Sequence, residues 1–374
     1  MFRFLHTSDL HIGKRFGNFP EDLRGRLREA RHGALGRLAE QARSNGAGHI
    51  LVAGDTFDTE TPTPAVLHQA FSEMGRHSDL TWVILPGNHD SLLADELWQR
   101  IRAIAPPNVI LALEPTPIDL AANIALLPAP CTTRRPGRDL TEWMSTAPTP
   151  EGTLRIGLAH GPVLDFSEDG AKGEVIAPDR AQRAGLDYLA LGDWHGRLAI
   201  NERTHYSGSP EPDRFKHDKP GAALLVAIAA PGALPEVTIV PTASFAWQTR
   251  PLELLGTDDG QAGLQEILTG AGTRRQTLLR LVLSGHSPIT IRTALASAAD
   301  SAAPEFAHFE TDDSALLTEC EPGDLEKIDH AGALRLAAET LLAESGDALL
   351  SADERAIAQA ALMRLFTYCE QVEA

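Results

Sequence analysis

The first half of the chain repeats one arrangement: a short apolar run that ends in a group of Asp, Asn or His residues. The runs "FRFL", "HILVA" and "WVILP" lead to "SDLH", "GDTFD" and "GNHD", and the later runs "RIGLA" and "YLAL" lead to "AHG" and "GDWHG". Short runs rich in Leu, Ile and Val are typical of buried strands. Open α/β sheets bind ligands at the carboxyl ends of their strands, so these polar groups are expected to converge. The repeat predicts an α/β domain with a polar site at one sheet edge.

Helical patterns lie between these runs. Residues 21–44 place apolar side chains at helical spacing and charged ones on the other face, which predicts an amphipathic helix. Pro64 is expected to open a second helix that continues to about Arg76, because proline is tolerated at the first helical position. Alternating strands and helices favour an α/β architecture.

The pattern changes after about residue 205. The segments "THYSGSP", "GAALLVAIA" and "EVTIV" are predicted to be consecutive strands, and a second unit follows from about 245–252 with a strand at "TLLRLVL", a helix opening at Ser287 and Pro288, and a strand at "FAHFE". The last helix has the capping-box spacing of Ser351 and Glu354. Its apolar stripe is expected to pack in the core or between domains and consists of Ile357, Ala361, Leu365, Tyr368 and Val372.

Composition indicates an ordinary globular protein of a reducing compartment. The 374 residues are 43% hydrophobic and 22% charged, which disfavours disordered and fibrous classes. The cysteines Cys131, Cys320 and Cys369 are far apart and odd in number, so neither a disulfide framework nor a zinc knuckle is implied. The start of the sequence lacks the apolar region of a signal peptide, and the longest apolar stretch is too short to cross a bilayer. We expect a cytoplasmic protein with no membrane association.

The formal net charge of −18 disfavours broad binding of a polyanion. Any contact with phosphate must then be local, through bound divalent cations or through small basic clusters. Two such clusters stand out, although solvated surface charge is the plainer interpretation of each. The clusters are Arg134, Arg135 and Arg138, and Arg214, Lys216 and Lys219.

The polar groups at the strand ends have the composition of a metal site. Several carboxylates and imidazoles in one cleft repel one another or take up protons unless cations lie between them. Oxygen and imidazole ligands without thiolate suit Mn²⁺, Fe²⁺, Zn²⁺ or Co²⁺. The number of ligands exceeds what one ion takes, so two ions that share a carboxylate are predicted. Such ions lower the pKa of water and polarise a phosphoryl oxygen.

The segments "DLH", "GDTFD", "GNHD", "AHG" and "GDWHG" together resemble, in order and spacing, the signature blocks of the calcineurin-like metallophosphoesterases. More narrowly, "HTSDLHIGK", "AGDTFD", "YLALGDWH" and "YSGSPEP" resemble the SbcD-like branch of DNA repair nucleases. The resemblance implies an α/β fold with a β-sandwich flanked by helices, plus a small C-terminal α/β capping domain and terminal helices. The implied domains are a metallophosphoesterase (nuclease) domain at 1–245, a capping domain at 246–320 and a helical segment at 321–374.

The resemblance also implies roles for individual residues. Asp55 would bridge two metal ions, most simply Mn²⁺, and His89 would be the catalytic imidazole. The implied ligands of the first ion are Asp9, His11, Asp55 and His195, and those of the second are Asp55, Asn88, His160 and Asp193. Lys14 and Arg15 are candidates for contact with substrate phosphate, against plain solvent exposure.

One position departs from the family pattern. The family carries G-H-x-H where this chain has Gly192, Asp193, Trp194 and His195. An aspartate adds an anionic oxygen, so we expect a shift of preference toward Mn²⁺ rather than loss of the second metal. At Asp58 the resemblance to the SbcD-like branch implies a histidine. Asp58 is a candidate either for contact with substrate or for capping its turn, and we expect the turn.

Three functions are compatible with the sequence. The first is a Mn²⁺-dependent DNA phosphodiesterase, a nuclease that acts on single-stranded DNA, ends or flaps. The second is a phosphodiesterase or phosphatase that acts on small nucleotides. The third is a scaffold subunit with an impaired site that docks an SbcC-like ATPase. The near-complete ligand set favours the first, and the ATPase partner belongs to the resemblance alone.

Overall fold

The computed structural model describes residues 1–163, 175–216, 219–255, 259–319, 328 and 332–373. The chain forms two compact units, Met1–Ala246 and Trp247–Ala374. Cys320 lies outside the described residues, as does most of the segment between residues 319 and 332.

The first unit contains twelve of the described strands. They are β1 (Phe2–Thr7), β2 (His49–Val52), β3 (Thr81–Ile84), β4 (Val109–Leu111), β5 (Ile118–Ala121), β6 (Ile124–Ala129), β7 (Leu154–His160), β8 (Tyr188–Gly192), β9 (Leu198–Asn201), β10 (Thr204–Tyr206), β11 (Ala222–Ile228) and β12 (Glu236–Pro241). Its helices are α1 (Glu21–Ser44), α2 (Pro64–Arg76), α3 (Asp95–Ile104) and the single turn α4 (Arg180–Arg183).

These strands form two six-stranded sheets. The first has the order β12-β11-β1-β2-β3-β4 and the second β5-β6-β7-β8-β10-β9. Strands β1 to β4 are parallel, as are β6, β7, β8 and β10. Antiparallel strands close the edges of both sheets, as in β1 with β11 and β5 with β6. The parallel strands therefore end at a shared edge in each sheet, which is the arrangement that the strand-end polar groups predict.

The two sheets pack face to face over a dry core. Phe4, Leu51 and Val83 of the first sheet and Ile156 and Leu158 of the second belong to one fully buried cluster. The outer face of the first sheet packs against α1, α2 and α3. On these helices, the apolar residues that recur every three or four positions, such as Leu35 and Leu38, are buried. The predicted β-sandwich flanked by helices is confirmed.

The second unit is a three-stranded sheet with helices. Its elements are β13 (Ala246–Leu254), α5 (Gln261–Gly270), β14 (Thr277–Pro288), α6 (Ile289–Ala302), β15 (His308–Glu319), α7 (Ala333–Gly346) and α8 (Ala352–Glu373). The sheet order is β13-β14-β15, and β14 and β15 are parallel. No helix in the described part of the chain combines the length and hydropathy of a membrane-spanning segment.

The predicted buried stripe of α8 is wrong by one position along the helix. Ile357 and Tyr368 are 69% and 64% exposed, whereas Ala358, Leu362 and Phe366 are buried. Leu362 and Phe366 pack in a cluster with Ile289 and Ala338. Leu365 of the predicted stripe packs against the same cluster, so the buried face overlaps the predicted one at its edge. The side chain of Val372 lies outside the described residues. The predicted capping box is present, since the Ser351 hydroxyl and backbone N–H both bond the Glu354 carboxylate.

Leu158 provides a test of the packing between the sheets. Leu158→Ala should lower the free energy of unfolding by about 2–5 kcal/mol, because the cavity it leaves lies between two rigid sheets. Urea denaturation followed by circular dichroism measures this change. Leu234, which is 54% exposed, is the matched control, and Leu234→Ala should change the free energy by about 0.5 kcal/mol or less. Equal losses in the two variants would contradict the packing.

Candidate metal centre

The polar groups that end the parallel strands meet at one place in the first unit. Asp9 and His11 follow β1, Asp55 follows β2, and Asn88 and His89 follow β3. From the second sheet, the group gains the last residue of β7 and two residues just after β8, which are His160, Asp193 and His195. Both sheets therefore supply side chains to the same cluster.

The loops that carry these side chains have an unusual backbone. Asp9, His11, Asp55 and Asp193 have φ angles of 53°, 42°, 55° and 102°, a region that side-chain-bearing residues rarely adopt. Such conformations cost about 1–3 kcal/mol each and concentrate at functional sites. Gly87 allows the β3 loop to approach closely, since a Cβ there would lie 2.2 Å from Asp55 Oδ1. The fold accepts strain here to bring the polar groups together.

A first group of potential ligands consists of Asp9, His11 and His195. The Nε2 atoms of His11 and His195 are 3.2 Å apart, and Asp9 Oδ1 lies 4.0 and 3.9 Å from them. Asp55 Oδ2 is 3.6 Å from His11 Nε2. Two imidazole nitrogens and two carboxylate oxygens thus face a common point.

A second group consists of Asp9, Asp55 and His160. His160 Nε2 lies 3.6 Å from Asp55 Oδ1 and 3.8 Å from Asp193 Oδ1. The Asn88 amide donates to Asp193 Oδ1 at 3.4 Å. Asp55 therefore directs one oxygen toward each group, which is the position of a bridging ligand.

Unsatisfied polar atoms in this cluster fit bound cations. His160 Nδ1 donates to the Ala53 carbonyl at 2.8 Å, which leaves Nε2 with a lone pair that faces the carboxylates. Neither His160 Nε2 nor Asn88 Oδ1 has a hydrogen-bond partner among the described residues, although both atoms are buried. Buried polar atoms are normally paired, and a divalent cation would satisfy both. The donor set of carboxylate, amide oxygen and imidazole fits divalent metal ions.

The pKa shifts within the cluster also fit bound cations. Burial raises the pKa of the Asp55 carboxyl well above its ordinary value, and it also raises the pKa of Asp193. Burial alone would lower the pKa of His160, but the carboxylates of Asp55, Asp9 and Asp193 outweigh it and raise the pKa to about 9. Without cations, protons must compensate the excess negative charge. Divalent ions would replace those protons.

His89 lies beside the cluster in a fixed orientation. Its backbone N–H donates to Asp55 Oδ1 at 2.8 Å, and its Nδ1 donates to the Asp58 carbonyl at 2.9 Å. The ring lies edge-on to His11, with centroids 4.8 Å apart. Asp90 is fully buried and accepts bonds from the backbone N–H groups of Phe57 and Gly87, so it ties the β2 and β3 loops together.

Asp58 does more than cap a turn. Its carboxylate lies 3.3 Å from His11 Nδ1 and 3.7 Å from Lys14 Nζ. Lys14 also pairs with Asp213 at 2.7 Å, so its charge is compensated within the protein, while Arg15 is exposed. Contact of Lys14 and Arg15 with a substrate phosphate stays a prediction.

Asp213 is a functional candidate that the sequence analysis missed. Its Oδ1 lies 3.4 Å from His195 Nδ1, on the side of the ring away from the cluster, and the buried Arg31 lies 3.5 Å from Oδ2. Burial opposes its ionisation, but His195, Arg31 and Lys14 hold the pKa of Asp213 well below its usual range. It follows no strand of the repeating pattern, so no signal in the sequence marked it.

Comparison with known proteins agrees with this geometry. The family model described as calcineurin-like phosphoesterase matches residues 2–226. The D subunit of the nuclease SbcCD from Escherichia coli (strain K12) is 39% identical over 93 residues, which are 24% of this chain and 22% of that protein. The uncharacterized metallophosphoesterase YhaO of Bacillus subtilis (strain 168) is 23% identical over 206 residues, 53% of this chain and 50% of that protein.

Among solved structures, the protein TT1561 of Thermus thermophilus aligns with a TM-score of 0.35 and 11% identity, over 56% of this chain and 89% of that chain. This chain matches half or less of the length of the curated relatives named above. The family model, by contrast, covers more than half of this chain and includes every strand end of the cluster. The chain therefore belongs to the calcineurin-like phosphoesterase family, whose members are metal-dependent phosphoester hydrolases.

Proposed function

We propose that the protein is a Mn²⁺-dependent DNA phosphodiesterase that acts on single-stranded DNA, ends or flaps. The observation that carries the proposal is that potential ligands from five strand ends meet in one cluster. Two buried atoms of this cluster, His160 Nε2 and Asn88 Oδ1, have no hydrogen-bond partner among the described residues. Oxygen and imidazole donors without a thiolate suit Mn²⁺. The additional carboxylate of Asp193 strengthens that preference.

Two groups of side chains would hold the metal ions. Asp9, His11, Asp55 and His195 would hold the first ion, and Asp55, Asn88, His160 and Asp193 would hold the second; the contacts among these side chains support the assignment. When bound, two divalent cations lower the pKa of water and neutralise charge on a phosphoryl group. Because the buried carboxylates are held in fixed loops, they would position the cations without any rearrangement of the protein during the reaction.

His89 would supply the proton to the leaving oxygen. The bond from its Nδ1 to the Asp58 carbonyl fixes the ring and its tautomer, so Nε2 is the nitrogen that exchanges a proton with substrate. The bond from its backbone N–H to Asp55 fixes the ring relative to the ligands. A positioned imidazole of this kind contributes typically 10²–10⁴-fold to the rate.

DNA as substrate rests on the segment shared with the SbcCD nuclease of Escherichia coli, whose matched subunit is 39% identical over 93 residues. Because that relative is one subunit of the nuclease, an SbcC-like ATPase partner is part of this proposal. The net charge of −18 favours a splayed strand that reaches the cluster over long duplex held on the surface.

Asp213 would position His195 as a ligand. A carboxylate on the far nitrogen of a metal-bound histidine fixes its tautomer and raises its basicity. The buried Arg31 and the neighbouring Lys14 keep Asp213 ionised for this task.

The purified protein is expected to bind Mn²⁺ and to cleave a labelled single-stranded oligonucleotide faster than the matching duplex. A chelator should abolish cleavage. Asp55→Ala should lose both bound manganese, measured by elemental analysis, and activity, because it removes an oxygen from each metal position. Cleavage of cyclic nucleotides but not of oligonucleotides would favour a small-nucleotide enzyme, and absence of bound metal from the wild type would favour a scaffold.

His89→Asn should lower kcat on single-stranded DNA by roughly 10²–10⁴-fold while manganese content stays unchanged, because the imidazole transfers a proton and holds no ion. Single-turnover kinetics and elemental analysis measure the two quantities. His77→Asn, at the end of α2, is the matched control and should retain activity. Parallel loss of metal and activity in His89→Asn would contradict the assigned role.

Asp213→Asn should weaken Mn²⁺ binding by about 10–100-fold, because His195 loses the carboxylate that orients it. Isothermal titration calorimetry measures the affinity. Asp187 is the control, since it is equally buried but accepts hydrogen bonds from the backbone N–H groups of Arg155 and Gly232, away from the cluster. An unchanged affinity in Asp213→Asn, or an equal loss in Asp187→Asn, would argue against a positioning role.

A further inference from the structure

A cavity of about 480 Å³ adjoins the metal cluster within the first unit. Asn88, His160 and Asp193 belong both to its lining and to the second group of predicted ligands. Its volume lies in the range of sites that enclose a small organic ligand. The cavity therefore begins where a scissile phosphate would lie and leads away from it.

Part of the cavity wall is apolar. Leu140, Pro162, Val175 and Ile176 line it together with Ala129. An apolar wall of this kind suits the faces of a nucleobase or a sugar better than a second charged group.

Another part of the cavity wall is basic. Arg134, Arg135 and Arg138 line it, are exposed, and form no ion pair with any residue that the structure describes. The acid of the same loop, Asp139, is already paired with Arg180 at 2.7 Å and bonded to Thr141. Three guanidinium groups without an ion-pair partner among the described residues therefore line the cavity, in a protein whose net charge is −18.

Arginine is suited to phosphate because its planar guanidinium donates two parallel hydrogen bonds. A ligand that matches this lining has one anionic group at the metal cluster, an apolar part against the apolar residues and a second anionic group at the arginines. A nucleoside flanked by two phosphates has these three parts.

We propose that the cavity binds the nucleotide adjacent to the scissile phosphate and that Arg134, Arg135 and Arg138 contact the flanking phosphate. The inference rests on the proposed phosphodiesterase function and specifies its substrate: a phosphodiester within a strand, rather than an isolated one. The same chemistry occurs in a free dinucleotide, and the experiment separates the two sources.

Thymidine dinucleotides test the flanking phosphate. TpT contains one phosphodiester and no second phosphate, whereas pTpT and TpTp add one at the 5′ or the 3′ side. With Mn²⁺, the wild type should hydrolyse one of the two phosphorylated dinucleotides with a kcat/KM roughly tenfold or more above that for TpT, from new charge-assisted hydrogen bonds. In Arg134→Gln/Arg135→Gln/Arg138→Gln this preference should fall to about one.

The matched control removes the same charge elsewhere. Arg3, Arg43 and Arg76 lie at the start of β1 and the ends of α1 and α2, at the sheet edge opposite the metal cluster. Arg3→Gln/Arg43→Gln/Arg76→Gln should keep the wild-type preference, because an effect of net charge alone would act equally in both variants.

A short single-stranded oligonucleotide identifies the source of the nucleotide. If loss of the three cavity arginines lowers kcat/KM on the oligonucleotide by the same factor as on the phosphorylated dinucleotide, the strand assignment holds. An effect confined to dinucleotides overturns it in favour of a free nucleotide. A wild type without preference for a flanking phosphate, or a preference that the cavity variant retains, overturns the subsite. Absence of cleavage of every phosphodiester would instead overturn the proposed function.

Discussion

The candidate site depends on the repulsion among carboxylates that the fold buries in one place. Asp9 and Asp55 are almost completely buried, and Asp193 lies beside them. Such a group is stable only with compensating positive charge. In the protein alone, His160 supplies it by holding a proton, with a pKa raised to about 9. The cluster is therefore built for cations, and the rest of the unit serves to hold its members in place against their mutual repulsion.

The β-sandwich holds the members of the cluster in place against this repulsion. Each predicted ligand ends or closely follows a buried parallel strand, so the sheet anchors the backbone that carries it. Four of the predicted ligands have left-handed backbone conformations, and the fully buried Asp90 ties two of the loops together through backbone N–H groups. Strain of this kind persists only where the surroundings determine the geometry. Packing between the sheets, as at Leu158, thus contributes to ligand geometry as well as to stability.

Local pattern predicted the strands that lead to the site, α1, α2 and the meeting of the strand-end residues, because burial imposes a period and parallel strands share an edge. It did not predict the short strands β4, β5 and β9. What it missed depends on tertiary contact. Asp213 became visible only as a partner of His195, and the ion pair between Lys14 and Asp213 has no signal in the sequence. The buried face of α8 was misassigned because Leu362 and Phe366 turn inward against Ile289, a contact that the periodicity of a weakly amphipathic helix does not specify.

The net charge of −18 is compatible with a phosphate substrate, because the electric field of the whole protein and direct contacts with a ligand act over different distances. Mean charge governs approach from beyond a Debye length, about 8 Å at physiological ionic strength. Arg134, Arg135 and Arg138 line the cavity, so they would contact a ligand there directly. Under the proposed function, a long duplex would meet the acidic surface, whereas a single strand in the cavity would meet the arginines and the metal cluster. The charge distribution would then favour a strand in the cavity over a duplex on the surface.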